Sequence, residues 1–519
     1  MRLLANFVMS ALGFTACVHK TENIAQVNQK THESGCLELE ADLNYAHNTM
    51  MGDFSGLHHN EELKKSILAM FPILVEESRF CASKIDYMRT IRKYFAAFKD
   101  SHVKARWKAD QIVKNIFHIS TGRNAEDLNL SGLQSSATGI GITKFNENYL
   151  VTSIDRSLAS DTNVKIGDAL LECDNVSATR IMRDEILPYE SIAVQDASEY
   201  NFAKQIFIRW DKSPGDVSQC IFQRQDKKIA AKFIWKEVNE NYSTEAASTR
   251  PVYEKRVSSF GHVVKVRTFA AYNSESKEIL EQFVADAETL RKDRIVIMDL
   301  RGNGGGDSSY GDAWLKKLYG FSRRALSEQP TLFLSTPKNL FHLSRLFQIQ
   351  NGHSADDTKP ITAEQASFLA CLKEHVGALA ACEKASYASD TVSNGETSLF
   401  AGRLIALTDS HVFSSSDFFL SQIRQMPRAS QAGISTDAST RYGDLRLDAV
   451  PSGRFLFSIP TKVFPEFAGS HKSGKPFVPE IELKYDIEAE ISERDSILEA
   501  LEGLLSTENS DVQFRTPPK

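Results

Sequence analysis

The spacing of apolar residues changes character along the chain. From about Cys36 to Phe98, in stretches such as "EELKKSILAMFPILVEES" and "IDYMRTIRKYFAAF", apolar residues recur three and four positions apart. This is the period of amphipathic helices, so the pattern predicts an N-terminal helical region. The region ends in "KDSHVKARW", where an Asp–Ser pair precedes His102.

Residues 138–236 follow a shorter period. "TGIGITKF", "NYLVTSI" and "DALLECD" alternate or cluster apolar residues between turn residues. Such runs are typical of strands, so this segment is predicted to be a small β-rich domain.

From Tyr253 onward, longer apolar runs alternate with helical patterns. "GHVVKVRTFA" and "RIVIMDL" predict strands, "SKEILEQFVADAETLRK" and "YGDAWLKKLYG" predict helices, and together they indicate an α/β unit. Residues 322–398 are polar and helical and predict an insertion. The fold resumes with a strand in "GRLIALTDS", a helix in "SSSDFFLSQIRQM", a hairpin in "VPSGRFLFSIPTKVF" and a closing helix in "DSILEALEGLL".

Composition narrows the class of protein. The 519 residues are 42% hydrophobic and 25% charged, which is ordinary for globular domains, and the length fits roughly three domains. The net charge of −6 comes with no sustained basic run. We therefore expect no nucleic-acid partner.

The first residues predict export from the cytoplasm. "MRLLANFVMSALGFTACVHK" has Arg2, an apolar stretch and then small residues before Cys17, as in a signal peptide over residues 1–16. "FTAC" also resembles the lipobox of bacterial lipoproteins. We expect Cys17 to be lipidated and to anchor a periplasmic or outer-membrane lipoprotein; simple cleavage and a buried cysteine are the alternatives.

The other six cysteines are an even number, as in disulfide-bonded exported proteins. Nearness along the chain predicts the pairs Cys36–Cys81, Cys173–Cys220 and Cys371–Cys382, and six buried thiols are the alternative. None has the C-x-x-C spacing of a zinc or redox site, and the histidines are scattered. We therefore expect no cofactor and no metal.

Four glycines follow a buried strand in "IVIMDLRGNGGGDSS". Glycines let main-chain N–H groups approach a ligand closely, which suits either a phosphate or an oxyanion. A Walker loop needs Lys and Ser or Thr after its last glycine, whereas Asp307 follows Gly306 here. The loop is therefore predicted to stabilise an oxyanion. Downstream, "TDSHVFSSSDFF" places Ser414, Ser415 and Ser416 between a strand and a helix, where serines also serve as N-caps.

Several of these stretches carry family resemblances. "TGIGI", "YLVTSIDRSLAS" and "VKIGDALLECDNV" resemble a PDZ domain, with Gly139, Ile140, Gly141 and Ile142 as its carboxylate-binding loop; a β domain without a ligand is the alternative. "DSHV", "DLRGNGGG", "FSSSD" and "PSGRFLFSIP" together resemble the tail-specific (C-terminal processing) serine peptidase family, chiefly over residues 95–320 and 400–505.

The resemblance implies an architecture. It is a multidomain α/β protein with an N-terminal helical region, a PDZ-like β-rich domain and a ClpP/crotonase-like peptidase core with a helical insertion. The expected boundaries are residues 17–125, 126–240 and 241–505, followed by a tail over 506–519.

The resemblance also implies catalytic roles. Ser414 is the nucleophile, since it lies three residues before Asp417, and the N–H groups of Ser415 and of Gly304 or Gly305 form the oxyanion hole. Ser415 and Ser416 are the alternative nucleophiles.

The base is expected to be a histidine. The Ser–Lys branch of the family keeps its lysine where Ser439 stands here, and no lysine lies between Ser414 and Lys462. The chain is closer to the tricorn-core and interphotoreceptor-retinoid-binding-protein-like branch, which implies His102 as the base with Ser101 orienting it. The remaining candidates are Glu466 and then Glu480 for the acid, and His411 and His471 as competing bases.

The resulting hypothesis is a serine endopeptidase that cleaves peptides or unfolded proteins outside the cytoplasm. The alternative is a catalytically inactive peptide-binding protein that keeps the same fold.

Overall fold

The computed structural model describes residues 36–130, 135–159, 162–191, 195–238, 242, 251–271, 273–323, 325, 329–382, 398–438, 440–467, 469 and 471–507. The predicted signal peptide, Cys17, Ser439 and the tail from residue 508 lie outside these ranges. Within them, no helix combines the length and the apolar character that crossing a membrane requires.

The N-terminal helical region forms as predicted. Asn60 and Ser83 begin the third and fourth helices by accepting hydrogen bonds from the N–H groups of Leu63 and Asp86. The Cys36–Cys81 disulfide joins the start of the first helix to the end of the third. The elements are α1 (Leu39–Asp53), α2 (Ser55–His59), α3 (Glu61–Ser78), α4 (Lys84–Ala96), β1 (Ala105–Arg106) and α5 (Gln111–Thr121).

A β-rich unit follows. Its larger sheet has the strand order β3-β4-β5-β8-β9, with β6 beside β5, and a smaller sheet has the order β10-β2-β7. The Cys173–Cys220 disulfide links β5 to β8. The elements are β2 (Ser135–Ala137), β3 (Ile140–Phe145), β4 (Asn148–Ile154), β5 (Ala169–Cys173), β6 (Val176–Ser177), α6 (Ala178–Arg180), α7 (Gln195–Phe202), β7 (Ile208–Arg209), β8 (Val217–Arg224), β9 (Lys227–Ile234) and β10 (Lys236–Val238).

The α/β core is built on a six-stranded sheet of order β11-β12-β13-β16-β17-β22. All neighbours after β11 run parallel, so the carboxyl ends of β13 and β16 lie side by side at one edge. Its elements are β11 (Tyr253–Ser258), β12 (Gly261–Val266), α8 (Ser274–Asp286), β13 (Ile295–Asp299), α9 (Ser309–Tyr319), β14 (Leu332–Leu334), α10 (Pro337–Gln350), α11 (Ala363–Glu374), β15 (Leu379–Ala380), β16 (Arg403–Thr408), α12 (Ser415–Ile423) and β17 (Ala429–Gly433).

The chain ends in a hairpin and two helices. The hairpin packs against the N-terminal helices, because Phe455 and Phe457 share one hydrophobic cluster with Phe54, Tyr94 and Phe98. Its elements and those after it are β18 (Tyr442–Ala449), β19 (Leu456–Val463), β20 (Glu466–Phe467), β21 (His471–Lys472), β22 (Ile481–Glu482), α13 (Ile487–Ile491) and α14 (Ser496–Thr507).

The insertion over residues 322–398 is not purely helical. It contains α10 and α11, as predicted, but β14 pairs with β19 and β15 pairs with β14. Phe333 and Leu334 are buried in this added sheet, and the Cys371–Cys382 disulfide ties the end of α11 to the segment after β15. The apolar run in β14 is buried by pairing with the hairpin, which integrates the insertion into the core.

Candidate active site

A sharp strand-to-helix turn presents Ser414. β16 ends at Thr408, α12 begins at Ser415, and Ser414 between them has φ 58° and ψ −124°. A positive φ is rare for a residue with a side chain, and strain of this kind collects at functional turns. Ser414 is half-buried, whereas the two serines after it are buried.

The alternative nucleophiles face other groups. The Ser415 hydroxyl donates to the carbonyl of Gly306, and the Ser416 hydroxyl is buried without a partner in the described part of the chain. Ser414 is therefore the serine that the turn directs toward His102.

His102 meets Ser414 across 312 sequence positions. Its Nε2 lies 3.3 Å from Ser414 Oγ, within the reach expected of a nucleophile and its base. The imidazole packs against the ring of Phe413, with centroids 4.4 Å apart, and is almost fully buried. The neighbouring ring and the low exposure hold the base in one orientation.

Asp100 occupies the other side of the imidazole. Its Oδ1 lies 3.0 Å from His102 Nδ1 and accepts the His102 main-chain N–H at 2.9 Å. Because a carboxylate only accepts hydrogen bonds, this contact favours a proton on Nδ1 and leaves the lone pair of Nε2 facing Ser414. Ser414, His102 and Asp100 therefore have the geometry of a serine triad.

This geometry corrects the expected acid. Glu466 lies on β20, opposite Lys472 of β21, and no contact in the described structure joins its carboxylate to His102. Nδ1 carries one hydrogen, and Asp100 already accepts it. The sequence contained a usable signal, because an aspartate two residues before a histidine often accepts that histidine's main-chain N–H in a tight turn.

The other predicted helpers and competitors lie elsewhere. Ser101 does not orient the imidazole, because its hydroxyl donates to the Ser191 carbonyl at 3.4 Å. Glu480 accepts the Gln431 N–H, and the two competing bases are paired with Asp409 (His411) and with the Lys475 carbonyl (His471).

Two serines hold the turn that carries His102 and Asp100. Ser191 Oγ accepts the Asp100 N–H at 3.3 Å and lies 2.8 Å from the Asp100 carbonyl. Ser458, on β19, donates to the His102 carbonyl. The turn is thus fixed between the β-rich unit and the hairpin, which places it against the Ser414 turn.

The glycine loop lies directly against the Ser414 turn. A Cβ on Gly305, whose φ is 98°, would stand 2.8 Å from the Phe413 carbonyl oxygen and from the Ser415 nitrogen. The Gly305 N–H already donates to Asn303 Oδ1 at 2.9 Å, so Gly305 is a poor oxyanion donor. In the described structure, the N–H groups of Gly304 and Ser415 have no protein acceptor. These two remain as the predicted oxyanion donors.

Adding a methyl group to Gly305 is expected to displace the Ser414 turn. Gly305→Ala would place a Cβ against main-chain atoms that have no room to move, at a φ that side chains disfavour. We expect the rate of Ser414 acylation by a fluorophosphonate to fall by about tenfold or more. Gly304→Ala is the matched control, because its Cβ would meet nothing within 4 Å and its N–H is kept. Equal acylation rates in both variants would contradict the close packing.

Two further carboxyls are buried beside the triad. Burial raises the pKa of Asp417 well above its usual range, although its Oδ2 accepts two hydrogen bonds from Thr440. Burial, and next the charge of Asp100, raise the pKa of Asp437 to about 7, while His411 opposes this shift. Below pH 7 Asp437 is therefore largely protonated and adds little negative charge near His102.

Asp437→Asn is expected to stabilise the protein above pH 7. The pKa of Asp437 is raised from 3.8 to about 7 in the folded state. The folded protein thus binds a proton that the unfolded chain releases, and stability falls as pH rises from about 4 to 7. At pH 8 the asparagine variant should gain up to about 4 kcal/mol in the free energy of unfolding.

Urea unfolding at pH 4 and pH 8 measures this difference, which should vanish at the lower pH. Asp226→Asn, at an exposed position on the β8–β9 turn, is the control. A gain of the same size at both pH values would show that the charge of Asp437 is not its cause.

The predicted peptide-binding loop lies at the start of β3, an edge strand of its sheet. Gly139, Ile140, Gly141 and Ile142 are all buried, and the two isoleucine side chains belong to the core of the β-rich unit. Only main-chain groups of the loop are therefore left to contact a ligand. The outer side of β3 faces α7 and the short turn Ala203–Ile206. A role in peptide binding stays a prediction.

Comparison with known proteins adds a family and a fold. Residues 261–442 match the model described as Peptidase family S41, a span that includes the glycine loop and Ser414 but neither Asp100 nor His102. No curated protein matches the sequence.

Solved structures match over most of the chain. The crystal structure of mature CPAF has a TM-score of 0.65 and 13% identity, covering 91% of this chain and 98% of that one. Mature CPAF complexed with lactacystin gives 0.60 and 14%, covering 91% and 99%. At these identities the likeness concerns the fold alone, and it includes the N-terminal helices and the β-rich unit as well as the core.

Proposed function

We propose that this chain, which belongs to peptidase family S41 and is a serine peptidase, cleaves peptides or unfolded proteins outside the cytoplasm with Ser414 as nucleophile. His102 is the base and Asp100 the acid that holds it. The proposal rests on one observation: the imidazole lies 3.3 Å from the Ser414 hydroxyl and 3.0 Å from the Asp100 carboxylate.

In the proposed reaction, His102 first accepts a proton from Ser414 and then donates it to the leaving group. Ser414 Oγ bonds to the carbonyl carbon of the substrate as its proton passes to His102 Nε2, and the C=O π electrons move to the oxygen. The N–H groups of Gly304 and Ser415 stabilise this oxyanion. His102 then gives its proton to the leaving amine as the C–N bond breaks, and water releases the acyl group by the same steps. Asp100 stays ionised and stabilises the imidazolium.

The β-rich unit, over residues 126–240, is proposed to hold the substrate. A peptide would add as a strand at the edge of β3 that pairs with no described strand, with its terminal carboxylate on the main-chain N–H groups of residues 139–142. The position of β3 at the sheet edge supports this role. Residues 17–125 and 241–505 are proposed as the other two units.

Export is proposed from two observations. The first sixteen residues read as a signal peptide followed by Cys17 in a lipobox-like context. Three disulfides join the six remaining cysteines, which suits an oxidising compartment such as the periplasm. Cys17 would then be the site of a lipid anchor.

Labelling with a fluorophosphonate tests the site. We expect the parent protein to be labelled on Ser414, and Ser414→Ala and His102→Ala to remain unlabelled. Ser492→Ala, at an exposed serine, should be labelled like the parent. A parent protein that takes no label would favour the inactive peptide-binding alternative, and label that persists in both site variants would refute the assignment.

A further inference from the structure

The segment after the catalytic base sends its side chains alternately to two faces. Val103, Ala105 and Trp107 all pack into the hydrophobic cluster of the N-terminal helices and the hairpin. Residues 101–103 form a turn, and from Lys104 onward the main chain is extended along β19. Side chains alternate along an extended chain, so Lys104 and Arg106 lie on the face opposite Ala105. Ser458 of β19 bonds both the Lys104 N–H and the His102 carbonyl, so this segment begins beside the turn that carries His102.

The two cations on this face lack anionic partners. Lys104 is exposed and Arg106 partly exposed, and in the described structure neither side chain forms an ion pair. The Arg106 Nε is buried without a hydrogen-bond acceptor. Like charges two residues apart on one face of an extended segment repel each other, and an anion that joins them relieves this repulsion.

The nearest carboxylates are already engaged. Glu190 is paired with Arg92 at 2.9 Å and accepts a hydrogen bond from Gln205 at 3.0 Å. Asp110 caps α5 by accepting the Val113 N–H at 2.8 Å. β1 pairs only with β19 among the described strands, so its other edge has no strand partner there. Because these two carboxylates are engaged, the partner we consider for Lys104 and Arg106 is an anion of another molecule.

We propose that Lys104 and Arg106 form a subsite that binds acidic side chains of the substrate close to the bond that is cleaved. Lys104 and Arg106 follow His102 by two and four residues, so the length of the chain keeps them within about 7 Å and 14 Å of it. An extended substrate spans these distances within about four residues of its reacting carbonyl. A carboxylate there makes charge-assisted hydrogen bonds with both cations. This inference rests on the proposed peptidase function.

Cleavage of a peptide library tests the subsite. We expect the parent protein to prefer Asp or Glu within four positions of the cleaved bond, by about tenfold over Asn or Gln. The double variant Lys104→Gln/Arg106→Gln should lose this preference. Lys227→Gln/Lys228→Gln, an equal charge change at exposed positions on β9, should keep it. Acidic preference that is absent in the parent, or unchanged in the Lys104/Arg106 variant, would overturn the proposal.

A binding measurement decides the question without turnover. In the Ser414→Ala background, a fluorescent peptide in which Glu alternates with Ala should bind about tenfold more tightly than its Gln counterpart. Adding Lys104→Gln/Arg106→Gln should remove the difference. Each peptide is measured with a free and an amidated C-terminus; a difference that follows the terminus would overturn the assignment to side chains. If the parent protein cleaves no peptide, the proposed peptidase function is wrong, and this binding measurement still tests the subsite.

Discussion

Replacing Ser414 with alanine is expected to lower kcat/KM for peptide hydrolysis by at least about a thousandfold. Without Oγ there is no acyl-enzyme, and His102 has no hydroxyl to deprotonate. Loss of one triad member removes most of the rate enhancement, and the small residual activity comes from the oxyanion hole and substrate binding. The measurement is the rate of cleavage of a fluorescently labelled unfolded protein, with the urea midpoint confirming that the variant is folded.

Ser416→Ala is the matched control for this prediction. It removes the same atom two positions away, from a hydroxyl that is buried without a partner in the described structure. We expect this variant to stay within about threefold of the parent rate, because it removes no hydrogen bond and no group that contacts the reacting atoms. An equally large loss of rate in Ser416→Ala would contradict the assignment of Ser414 as the nucleophile.

The long elements were predictable because their apolar periods are strong. The buried strand β13 and the helix α8 lie where the sequence pattern placed them. The segment predicted as a hairpin, residues 450–464, contains β19 alone, and its partner β18 lies just before it. The prediction for the insertion missed β14 and β15, because they have only three and two residues, too few to show a periodic apolar pattern. Their pairing depends on the distant strand β19, which the local sequence does not reveal.

The residues of the site were likewise predictable only in part. Ser414 and His102 stand in stretches whose residue types resemble a known family, and the structure brings their reactive atoms to 3.3 Å. The acid was misplaced because the resemblance pointed to a glutamate far along the chain, whereas Asp100 reaches the imidazole through a turn of three residues. The sequence left Gly304 and Gly305 as alternative donors, because the Asn303 rotamer, which no sequence pattern fixes, decides whether the Gly305 N–H is free.

The layout explains why distant segments make one site. β13 and β16 are parallel neighbours, so the glycine loop and the Ser414 turn leave the sheet at the same edge. The His102 turn belongs to neither strand, and it reaches this edge because Ser458 of β19 and Ser191 of the β-rich unit hold its main chain. His102 is thus positioned by two units that lie outside the parallel sheet.

Asp100→Asn is expected to reduce kcat by about ten-thousandfold with little change in KM, as loss of the acid does in serine triads generally. An amide NH₂ facing Nδ1 favours the imidazole tautomer that carries its proton on Nε2. The base would then point a hydrogen, not a lone pair, at the Ser414 hydroxyl. The loss should also appear as slow fluorophosphonate acylation, whereas peptide binding in the Ser414→Ala background should be unaffected.

Glu466→Gln makes the same change at the acid that the family resemblance indicated, and it separates the two assignments. Glu466 lies on β20 without a contact to His102 in the described structure, so we expect kcat to stay within about threefold of the parent value. The reverse result, an inactive Glu466→Gln beside an active Asp100→Asn, would mean that the imidazole exchanges Asp100 for Glu466 during the reaction. Such an exchange would require the turn held by Ser191 and Ser458 to open. Ser191→Ala, which loosens this turn, should then hydrolyse peptides faster than the parent protein does.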